Sequence, residues 1–323
     1  MRNKVLVIGA GISGLSIARL LKDKNYDVEV WEKEKEIGGL LIDYYDKKTQ
    51  CWVSKTGPHI IHFNKKTHLA FEFLKKYSKF SSFRHHVLCI GNSTFTYWPI
   101  NKSYEELFGL INGEKNITNN MFEEFVISYS KKMWGKDYCE VIGNIESRFK
   151  LKSSRNNDFF EGEENVLPTN GFKTLFRNLS KGLKVKLNKN GSFKDVRNKT
   201  NEFKYIIVTS QIDSFFNYKF GKLEFRGIEF KYKNILTDGQ NLLPTPVVNL
   251  NTHLKYTRIA EMNQFYFSTT KYRILCLEQP ITSDKARFYP VKTERNDNIL
   301  KKYQKYAEEF TNIIFHGRLC VYK

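Results

Sequence analysis

The sequence has few cysteines, and their arrangement argues against two kinds of structural site. The five cysteines among the 323 residues are scattered and odd in number, and no two form a CxxC pair: Cys51, Cys89, Cys139, Cys276 and Cys320. This pattern argues against a zinc centre and against a disulfide framework, so we expect reduced thiols in the core or on the surface and no bound metal. A long apolar run is also lacking, since no window of about 18 residues is uninterrupted by polar groups. We therefore predict no transmembrane helix. The apolar run after Lys4 contains the glycine turn and is not followed by a signal-peptide cleavage site, so we predict a cytoplasmic protein.

Acidic residues are outnumbered, with 34 Asp and Glu against 53 Lys and Arg and a formal net charge of +19. A basic balance can indicate a nucleic-acid or anionic-membrane partner. The lysines are dispersed, however, and no basic stripe with interleaved aromatics or recognition-helix pattern is present. We predict solvated charged faces, no nucleic acid and no membrane insertion, with a polyanion partner as the alternative. A positive field would also favour an anionic nucleotide substrate.

A glycine-rich turn near the start of the chain carries the strongest chemical signal. Gly9, Gly11 and Gly14 follow the apolar run 5–8, and Glu32 lies 18 residues beyond Gly14 at the end of a second apolar run. Glycines at this spacing allow a tight strand-to-helix turn, close approach of the backbone to a pyrophosphate and close packing of helix on strand. The acid can accept from ribose hydroxyls, and the helix N-terminus favours phosphate. We predict a dinucleotide site; a buried βαβ unit with incidental glycines is the alternative.

A second glycine pair, Gly38-Gly39, follows Glu32 within seven residues. This arrangement resembles the FAD-binding fold of the glutathione-reductase and amine-oxidase type, in which a second turn approaches the cofactor again. We therefore predict FAD, and not NAD, and include Lys33 among the cofactor-binding residues.

The pattern changes along the chain and predicts an α/β protein: a Rossmann-like FAD-binding domain with an inserted helical subdomain and an antiparallel β-sheet domain. Apolar residues at helical spacing occupy 104–108 and 121–129, and Tyr205–Thr209 is typical of a buried strand. Aromatic and β-branched alternation in 223–232 and in Phe265–Phe267 favours antiparallel strands. The predicted segments are the first part of the FAD-binding domain (1–100), a helical substrate-binding subdomain (101–165), a return to the FAD-binding domain (166–215), the antiparallel sheet domain (216–295) and a C-terminal return (296–323).

A set of short motifs, in order along the chain, then resembles one family. Besides the glycine turns, the motifs are Gly57-Pro-His-Ile-Ile-His62, Trp98-Pro-Ile-Asn101, Leu107-Phe-Gly109, Tyr129-Ser-Lys-Lys-Met-Trp-Gly135, Ile212–Gly221, Tyr256-Thr-Arg-Ile259, Phe288-Tyr-Pro290 and Gly317-Arg-Leu319. The chain resembles the UDP-galactopyranose mutases from residue 4 to its end.

The resemblance implies a flavoenzyme without net redox change. Members of that family use N5 of reduced FAD as a nucleophile on the anomeric carbon of UDP-galactose. The flavin–sugar adduct allows the ring to open and to close again as the furanose. A UDP-hexose substrate, a cell-surface glycan pathway and a homodimer are what the family suggests for this chain.

The resemblance also assigns roles to residues of this sequence. Arg148 and Arg258 would neutralise the diphosphate, and His59 would lie beside the isoalloxazine. Arg318 would lie against the flavin. The remaining substrate-binding candidates are Phe125, Tyr129 and Trp134 for the uridine, Asn249 for the sugar, and Phe159 and Tyr289 at the phosphate-binding positions.

Less specific interpretations stay open for some of these residues. Arg148 could be a surface ion-pair partner, and aromatic residues at helical spacing often belong to a core. His85-His86 reads as an exposed turn pair, and Arg226 is a secondary phosphate candidate whose strand could point it to solvent.

Three features depart from the family pattern. Leu40-Leu41 replaces a polar residue after the second glycine pair, and Phe159 stands where a tyrosine hydroxyl is expected. The sequence also ends at Tyr322-Lys323, before a segment that would cap the flavin. We therefore expect a mutase of a UDP-hexose, with two alternatives: a catalytically impaired FAD- or UDP-sugar-binding homologue, or an amine-oxidase-like FAD oxidoreductase.

Overall fold

The chain forms two compact units in a computed structural model. The structure describes residues 3–92, 94–112, 117–135, 138–142, 152, 154–160, 162–283 and 287–323. The first unit contains Met1–Asp43, Asn170–Gly227 and Ser283–Lys323, and the second contains Tyr44–Thr169 and Ile228–Thr282. The predicted division into five segments stays a prediction.

The strands, in chain order, are β1 (Lys4–Ile8), β2 (Asp27–Trp31), β3 (Asp43–Asp46), β4 (Cys51–Ser54), β5 (Ile61–Phe63), β6 (Phe80–Ser82), β7 (Val87–Ile90), β8 (Phe95–Tyr97), β9 (Glu164–Pro168), β10 (Lys184–Lys186), β11 (Tyr205–Val208), β12 (Phe225–Leu236), β13 (Val247–Leu250), β14 (Arg258–Glu261), β15 (Tyr272–Thr282), β16 (Tyr289–Pro290) and β17 (Ile313–Phe315).

The α-helices are α1 (Ile12–Asp23), α2 (His68–Lys75), α3 (Lys102–Asn112), α4 (Ile117–Phe122), α5 (Ser128–Trp134), α6 (Tyr138–Ile142), α7 (Gly171–Ser180), α8 (Phe193–Val196), α9 (Ile212–Phe215), α10 (Met262–Phe265) and α11 (Glu294–Ala307). Short 3₁₀ turns cover Gly39–Leu41 and Arg197–Lys199, and a π-helical turn, Glu123–Ile127, joins α4 to α5.

The first unit is built on a five-stranded sheet in the order β10-β2-β1-β11-β17, and every pair in it is parallel. Val5, Leu6 and Val7 are fully buried, so β1 is apolar on both of its faces, as a central strand of a covered parallel sheet requires. Helix α1 follows β1 directly and packs against β2 and α7. The prediction of a Rossmann-like α/β fold is confirmed.

The second unit carries a mixed sheet in the order β12-β15-β14-β13-β7-β8. Strands β13 and β7 are parallel, whereas β13–β14, β14–β15 and β7–β8 are antiparallel. A smaller antiparallel sheet has the order β5-β9-β6. Helices α3 to α6 agree with the helical periodicity of the sequence between residues 102 and 142.

The strand prediction for Phe265–Phe267 is wrong. Phe265 ends helix α10, and Phe267 has a φ of 52°, a left-handed conformation that a continuing strand does not allow. Asn263 replaces the missing ladder, because its side chain accepts from the amide of Ile274 at 2.8 Å and donates to the carbonyl of Tyr272 at 3.0 Å. A polar side chain therefore turns the chain where the aromatic alternation suggested a strand.

All five cysteines lie in described parts of the chain. Cys51, Cys89, Cys276 and Cys320 are buried, and Cys139 is exposed. Burial raises the pKa of the Cys51 thiol to about 11 and the pKa of the Cys89 thiol to about 12. Among the described residues no helix combines the length and the hydrophobicity that a membrane crossing needs.

A buried ion pair ties together two segments of the first unit, Asn170–Gly227 and Ser283–Lys323. Asp213 is 0% exposed, and its carboxylate accepts from both terminal nitrogens of Arg287 at 3.0 and 2.8 Å. The amides of Ser214 and Leu223 donate to the same carboxylate at 2.8 and 3.0 Å. The guanidinium also lies 4.7 Å from the ring centroid of Phe225. Arg287 supplies the positive charge that faces the buried carboxylate of Asp213. Loss of the arginine would therefore leave a buried negative charge without its counterion.

Arg287→Leu should therefore lower the free energy of unfolding by about 3–5 kcal/mol. Arg295→Leu is the matched control, because its ion pair with Glu224 has side chains that are 62% and 55% exposed, and such pairs contribute about 0–1 kcal/mol. Urea denaturation of the two variants measures the difference. Equal midpoints would show that the buried pair contributes no more than the exposed one.

Candidate functional site: a dinucleotide cradle and a polar cross-strand row

The glycine turn between β1 and α1 brings helix and strand backbones into close contact. A Cβ built on Gly14 would lie 1.9 Å from the carbonyl oxygen of Gly9, so only glycine permits this packing of helix against strand. Gly11 differs, because the nearest atom to a Cβ there would be the Cα of Gly39 at 3.9 Å. The open space beside Gly11 is the kind of cradle that an approaching phosphate needs. No acidic side chain lies in the first turn of α1, which leaves its N-terminus favourable to an anion.

Both predicted glycine turns and the predicted acid meet at one edge of the parallel sheet. The amide of Gly38 donates to the carbonyl of Ala10 at 2.9 Å, and Gly38 pairs with Gly11 in an isolated bridge. Glu32 is 7% exposed, and its carboxylate accepts from the amides of Ala10 at 2.7 Å and Glu34 at 3.0 Å. These bonds fix the carboxylate beside the glycine turn.

Lys33, Leu40 and Leu41 lie next to the glycine turns and Glu32 in the sequence. The Lys33 side chain is 65% exposed, and its Nζ lies 3.7 Å from a carboxylate oxygen of Glu34. Leu40 and Leu41 lie in the 3₁₀ turn that begins at Gly39. The cofactor-binding roles of Lys33, Gly39 and the other predicted residues stay proposals.

In the second unit, four side chains form a row across adjacent strands, which we call the polar row: Cys89 on β7, Asn249 on β13, Arg258 on β14 and Glu278 on β15. Asn249 is the register partner of both Cys89 and Arg258, and Arg258 is the register partner of Glu278. Since side chains at paired positions share a face, the row lies on one face of the sheet. The next row on that face is apolar and joins a hydrophobic core, and its members are Val87, Val247, Ala260 and Cys276.

The guanidinium of Arg258 is held from two sides within the polar row. Its Nε donates to Oδ1 of Asn249 at 3.1 Å, and one Nη lies 3.5 Å from a carboxylate oxygen of Glu278. The Arg258 side chain is 30% exposed, whereas that of Glu278 is 7% exposed. Burial raises the pKa of Glu278, and the nearby positive charge of Arg258 partly offsets this. The arrangement orients a permanently charged, planar donor that solutes can reach, which suits a phosphate or diphosphate ligand.

His59 follows a turn that is hydrogen bonded to β12 in the same unit. Its Nε2 is hydrogen bonded to the hydroxyl of Thr56 at 3.1 Å. Gly57, two residues earlier, has a φ of 77° and donates its amide to the hydroxyl of Tyr232 at 3.1 Å. A Cβ on Gly57 would lie 2.7 Å from the ring of Phe230 and 3.0 Å from a carboxylate oxygen of Glu278. Glycine is therefore required where this turn passes the polar row.

His85 is not part of an exposed turn, contrary to the expectation from sequence. Its Nδ1 is buried and has no hydrogen-bond partner in the described part of the chain, and its ring lies 5.2 Å from that of Phe159. Burial lowers the pKa of His85 to about 3, with further lowering by the charge of Arg258. His86 instead bonds Asp158 at 3.0 Å. The aromatic packing around His85 explains the difference, because it shields Nδ1 of the imidazole from water.

The three predicted uridine-binding aromatics lie around the π-helical turn and α5. Phe125 is 3% exposed and belongs to the hydrophobic core, while Tyr129 and Trp134 are half-buried. A π-helical turn next to candidate binding residues is a common feature of functional sites. Their contact with a substrate stays a prediction.

Tyr289 and Arg318 come together in the first unit. The guanidinium carbon of Arg318 lies 5.9 Å from the ring centroid of Tyr289, and its Nη2 donates to the carbonyl of Phe288 at 3.1 Å. Arg226 is the register partner of Tyr289, and burial lowers its pKa. Arg148, predicted to bind phosphate, lies outside the described residues.

Sequence reasoning missed Cys89 and Glu278 as members of the polar row. Glu278 continues the inward-facing series Ile274, Cys276 of β15, so a lone carboxylate at the buried parity of an apolar strand was the available signal. Cys89 gave no comparable signal, because a cysteine suits an apolar strand in any case.

Known proteins resemble this chain over most of its length. Residues 124–323 match the family model of UDP-galactopyranose mutase, and residues 7–77 match that of an NAD(P)-binding Rossmann-like domain. The dTDP-fucopyranose mutase of Escherichia coli is 27% identical over 99% of this chain and 93% of its own length. The UDP-galactopyranose mutase of Mycoplasma genitalium is 27% identical over 99% of this chain and 90% of its own length.

A solved structure extends the likeness to the fold. A crystal structure of reduced UDP-galactopyranose mutase superimposes with a TM-score of 0.70 at 13% identity, covering 98% of this chain and 90% of the other. Homology to mutases over nearly the whole chain identifies an isomerase of the mutase type and implies a flavin cofactor. The chain belongs to the UDP-galactopyranose mutase family.

Proposed function

We propose that this chain interconverts the pyranose and furanose forms of a nucleoside-diphosphate hexose, with FAD in its reduced form as the cofactor. The observation that carries the proposal is the fixed guanidinium of Arg258 in the polar row. It occurs in a chain whose other unit contains a glycine cradle and a ribose-type acid. A cytoplasmic location and a homodimer stay predictions.

The cradle fits the dinucleotide part of FAD. Gly11 and the N-terminus of α1 would receive the pyrophosphate, and Glu32 would accept from the ribose hydroxyls. Bound reduced flavin supplies an electron-rich N5, a nucleophile suited to an anomeric carbon. The residues that would hold FAD by this argument are Gly9, Gly11, Gly14, Glu32, Lys33, Gly38, Gly39 and Arg318.

Gly11→Ala tests the cradle, because the new methyl group would enter the open space beside Gly39 without a clash in the fold. We expect a folded protein that binds FAD at least about tenfold more weakly, a loss of about 1.4 kcal/mol. Ser16→Ala, on the same helix, is the control and should bind FAD as the wild type does. Flavin fluorescence titration of the apoprotein measures both. Unchanged affinity in Gly11→Ala would mean that the pyrophosphate does not approach the chain there.

The polar row would act on the diphosphate of the substrate. Cleavage of the bond between the anomeric carbon and the diphosphate leaves negative charge on the departing group, and Arg258 is oriented to stabilise it. Asn249 and Glu278 keep the guanidinium in place, so that little reorganisation is needed when the charge develops. Asn249 is also a candidate for the sugar hydroxyls, and His59, oriented by Thr56, is the candidate for the flavin side of the reaction.

The base and the sugar are proposed at the level of a class. A UDP-hexose is the first candidate, from the family. A dTDP-sugar is the second, because the dTDP-fucopyranose mutase is as similar to this chain as a UDP-galactopyranose mutase is. Phe125, Tyr129 and Trp134 would bind either pyrimidine.

A binding protein without catalysis is the second candidate function. Phe159 offers an aromatic ring and no hydroxyl, so one expected donor to the phosphate is absent from that side chain. The half-buried neighbour His85 does not restore a positive charge, because its pKa is held at about 3.

An assay with UDP-galactofuranose and dTDP-fucofuranose, each with and without dithionite, separates the candidates. Conversion to the pyranose only in the presence of the reductant is the expected result. Flavin and nucleotide binding without any conversion would favour the binding protein. Hydrogen peroxide production without a reductant would overturn the mutase assignment in favour of an oxidase.

Arg258→Lys should lower kcat/KM by roughly 10²–10³-fold, the usual loss for one preorganised electrostatic donor. Lysine keeps the charge but lacks the planar fork that bonds Asn249 and a phosphate together. Arg84→Lys is the control in the same unit, since its side chain is 76% exposed in a surface ion pair with Asp158. Dithionite-dependent turnover measures the effect. A loss below about threefold would show that Arg258 does not contact the departing diphosphate.

A further inference from the structure

The segment between β13 and β14 is hydrogen bonded to the π-helical turn that precedes α5. The turn Glu123–Ile127 is wider than an α-helical turn, which draws its carbonyls away from the regular ladder. The side-chain amide of Asn251 donates to the carbonyls of Phe125 at 2.8 Å and Glu124 at 3.2 Å. Asn251 is 2% exposed, so these bonds form out of contact with bulk water.

Helix α5 also donates hydrogen bonds to the same segment. Nζ of Lys132 donates to the carbonyls of Leu250 at 2.6 Å and Tyr256 at 3.1 Å. These two carbonyls lie at the two ends of the connection between β13 and β14. Burial lowers the pKa of Lys132 to about 8, so the amine is mostly protonated at neutral pH and gives strong charge-assisted bonds.

The four hydrogen bonds join two sets of candidate substrate-binding residues. The gripped carbonyl of Leu250 belongs to the residue after Asn249, and that of Tyr256 lies two residues before Arg258. On the helical side, Lys132 lies between Tyr129 and Trp134 on α5. The pair Lys132 and Asn251, which we call the reciprocal clamp, thus fixes the aromatic helix to the hairpin that carries half of the polar row.

We propose that Lys132 is a positioning residue which, together with Asn251, sets the distance between the aromatic residues that receive the nucleotide and the groups that receive the diphosphate and sugar. The inference rests on the proposed function for the identity of the ligand. The clamp holds the two sides of the substrate-binding region in one geometry before the ligand arrives, which lowers the ordering cost of binding.

Lys132→Met tests the clamp, because it keeps the length of the side chain and leaves the two hairpin carbonyls without their donor. We expect UDP and dTDP to bind at least about tenfold more weakly by calorimetry. We also expect KM to rise in proportion while kcat stays within about twofold, the pattern of lost uniform binding. Lys132→Arg should restore most of the affinity, since arginine can donate to both carbonyls. Lys131→Met, the exposed neighbour on the same helix, is the control.

Amide hydrogen exchange tests the clamp without any ligand. In Lys132→Met, exchange in the hairpin segment 250–257 should accelerate about tenfold, and in Asn251→Ala exchange in the helical segment 123–134 should do the same. Unchanged exchange in both variants would overturn the clamp, even if the wild type bound no nucleotide. If Lys132→Met showed the expected acceleration of exchange but bound UDP and dTDP as tightly as the wild type, the positioning role of Lys132 would be overturned. If the wild type itself bound neither UDP nor dTDP, that result would count against the proposed function and not against the clamp.

Discussion

The candidate site of the second unit depends on one ion pair. In it, a carboxylate almost out of contact with water faces an arginine across two antiparallel strands. Glu278 needs a counterion because its burial is costly, and Arg258 needs a fixed orientation because a flexible cation selects no geometry. Arg258 supplies the counterion and Glu278 fixes the orientation of the guanidinium, and this is possible only in the observed register of β14 and β15. A slip of one residue in either strand would turn that strand's side chain to the opposite face and separate the pair. The electrostatics of the site and the pairing of the sheet are therefore one constraint.

The part of the site that is local in sequence could be predicted in detail. Gly11, Gly14 and Glu32 lie within one βαβ unit, so their spacing along the chain largely determines their positions in space. The neighbours Asn249 and Arg258 came from family resemblance, and a hairpin brings them together. A partner from a distant strand, such as Cys89 on β7, could not be predicted because the register of non-local strands is not encoded in any short pattern.

Burial was the other quantity that local pattern did not provide. His85 was assigned to an exposed turn, yet Phe159 and Phe160 pack around it. Phe265–Phe267 had the alternation of a strand, yet the side chain of Asn263 supplies the backbone bonds that a neighbouring strand would have supplied. In both cases a tertiary contact outweighed the preference of the segment.

The distribution of thiols has a practical consequence for work on this chain. Four of the five cysteines are buried, and the thiolate that alkylating reagents require is scarce where burial has raised the pKa to about 11 or 12. Cys139, on α6 directly after the aromatic helix, is exposed. The native sequence therefore offers a single attachment point for a spectroscopic label, close to the helix that is expected to meet the nucleotide, without removal of any other cysteine.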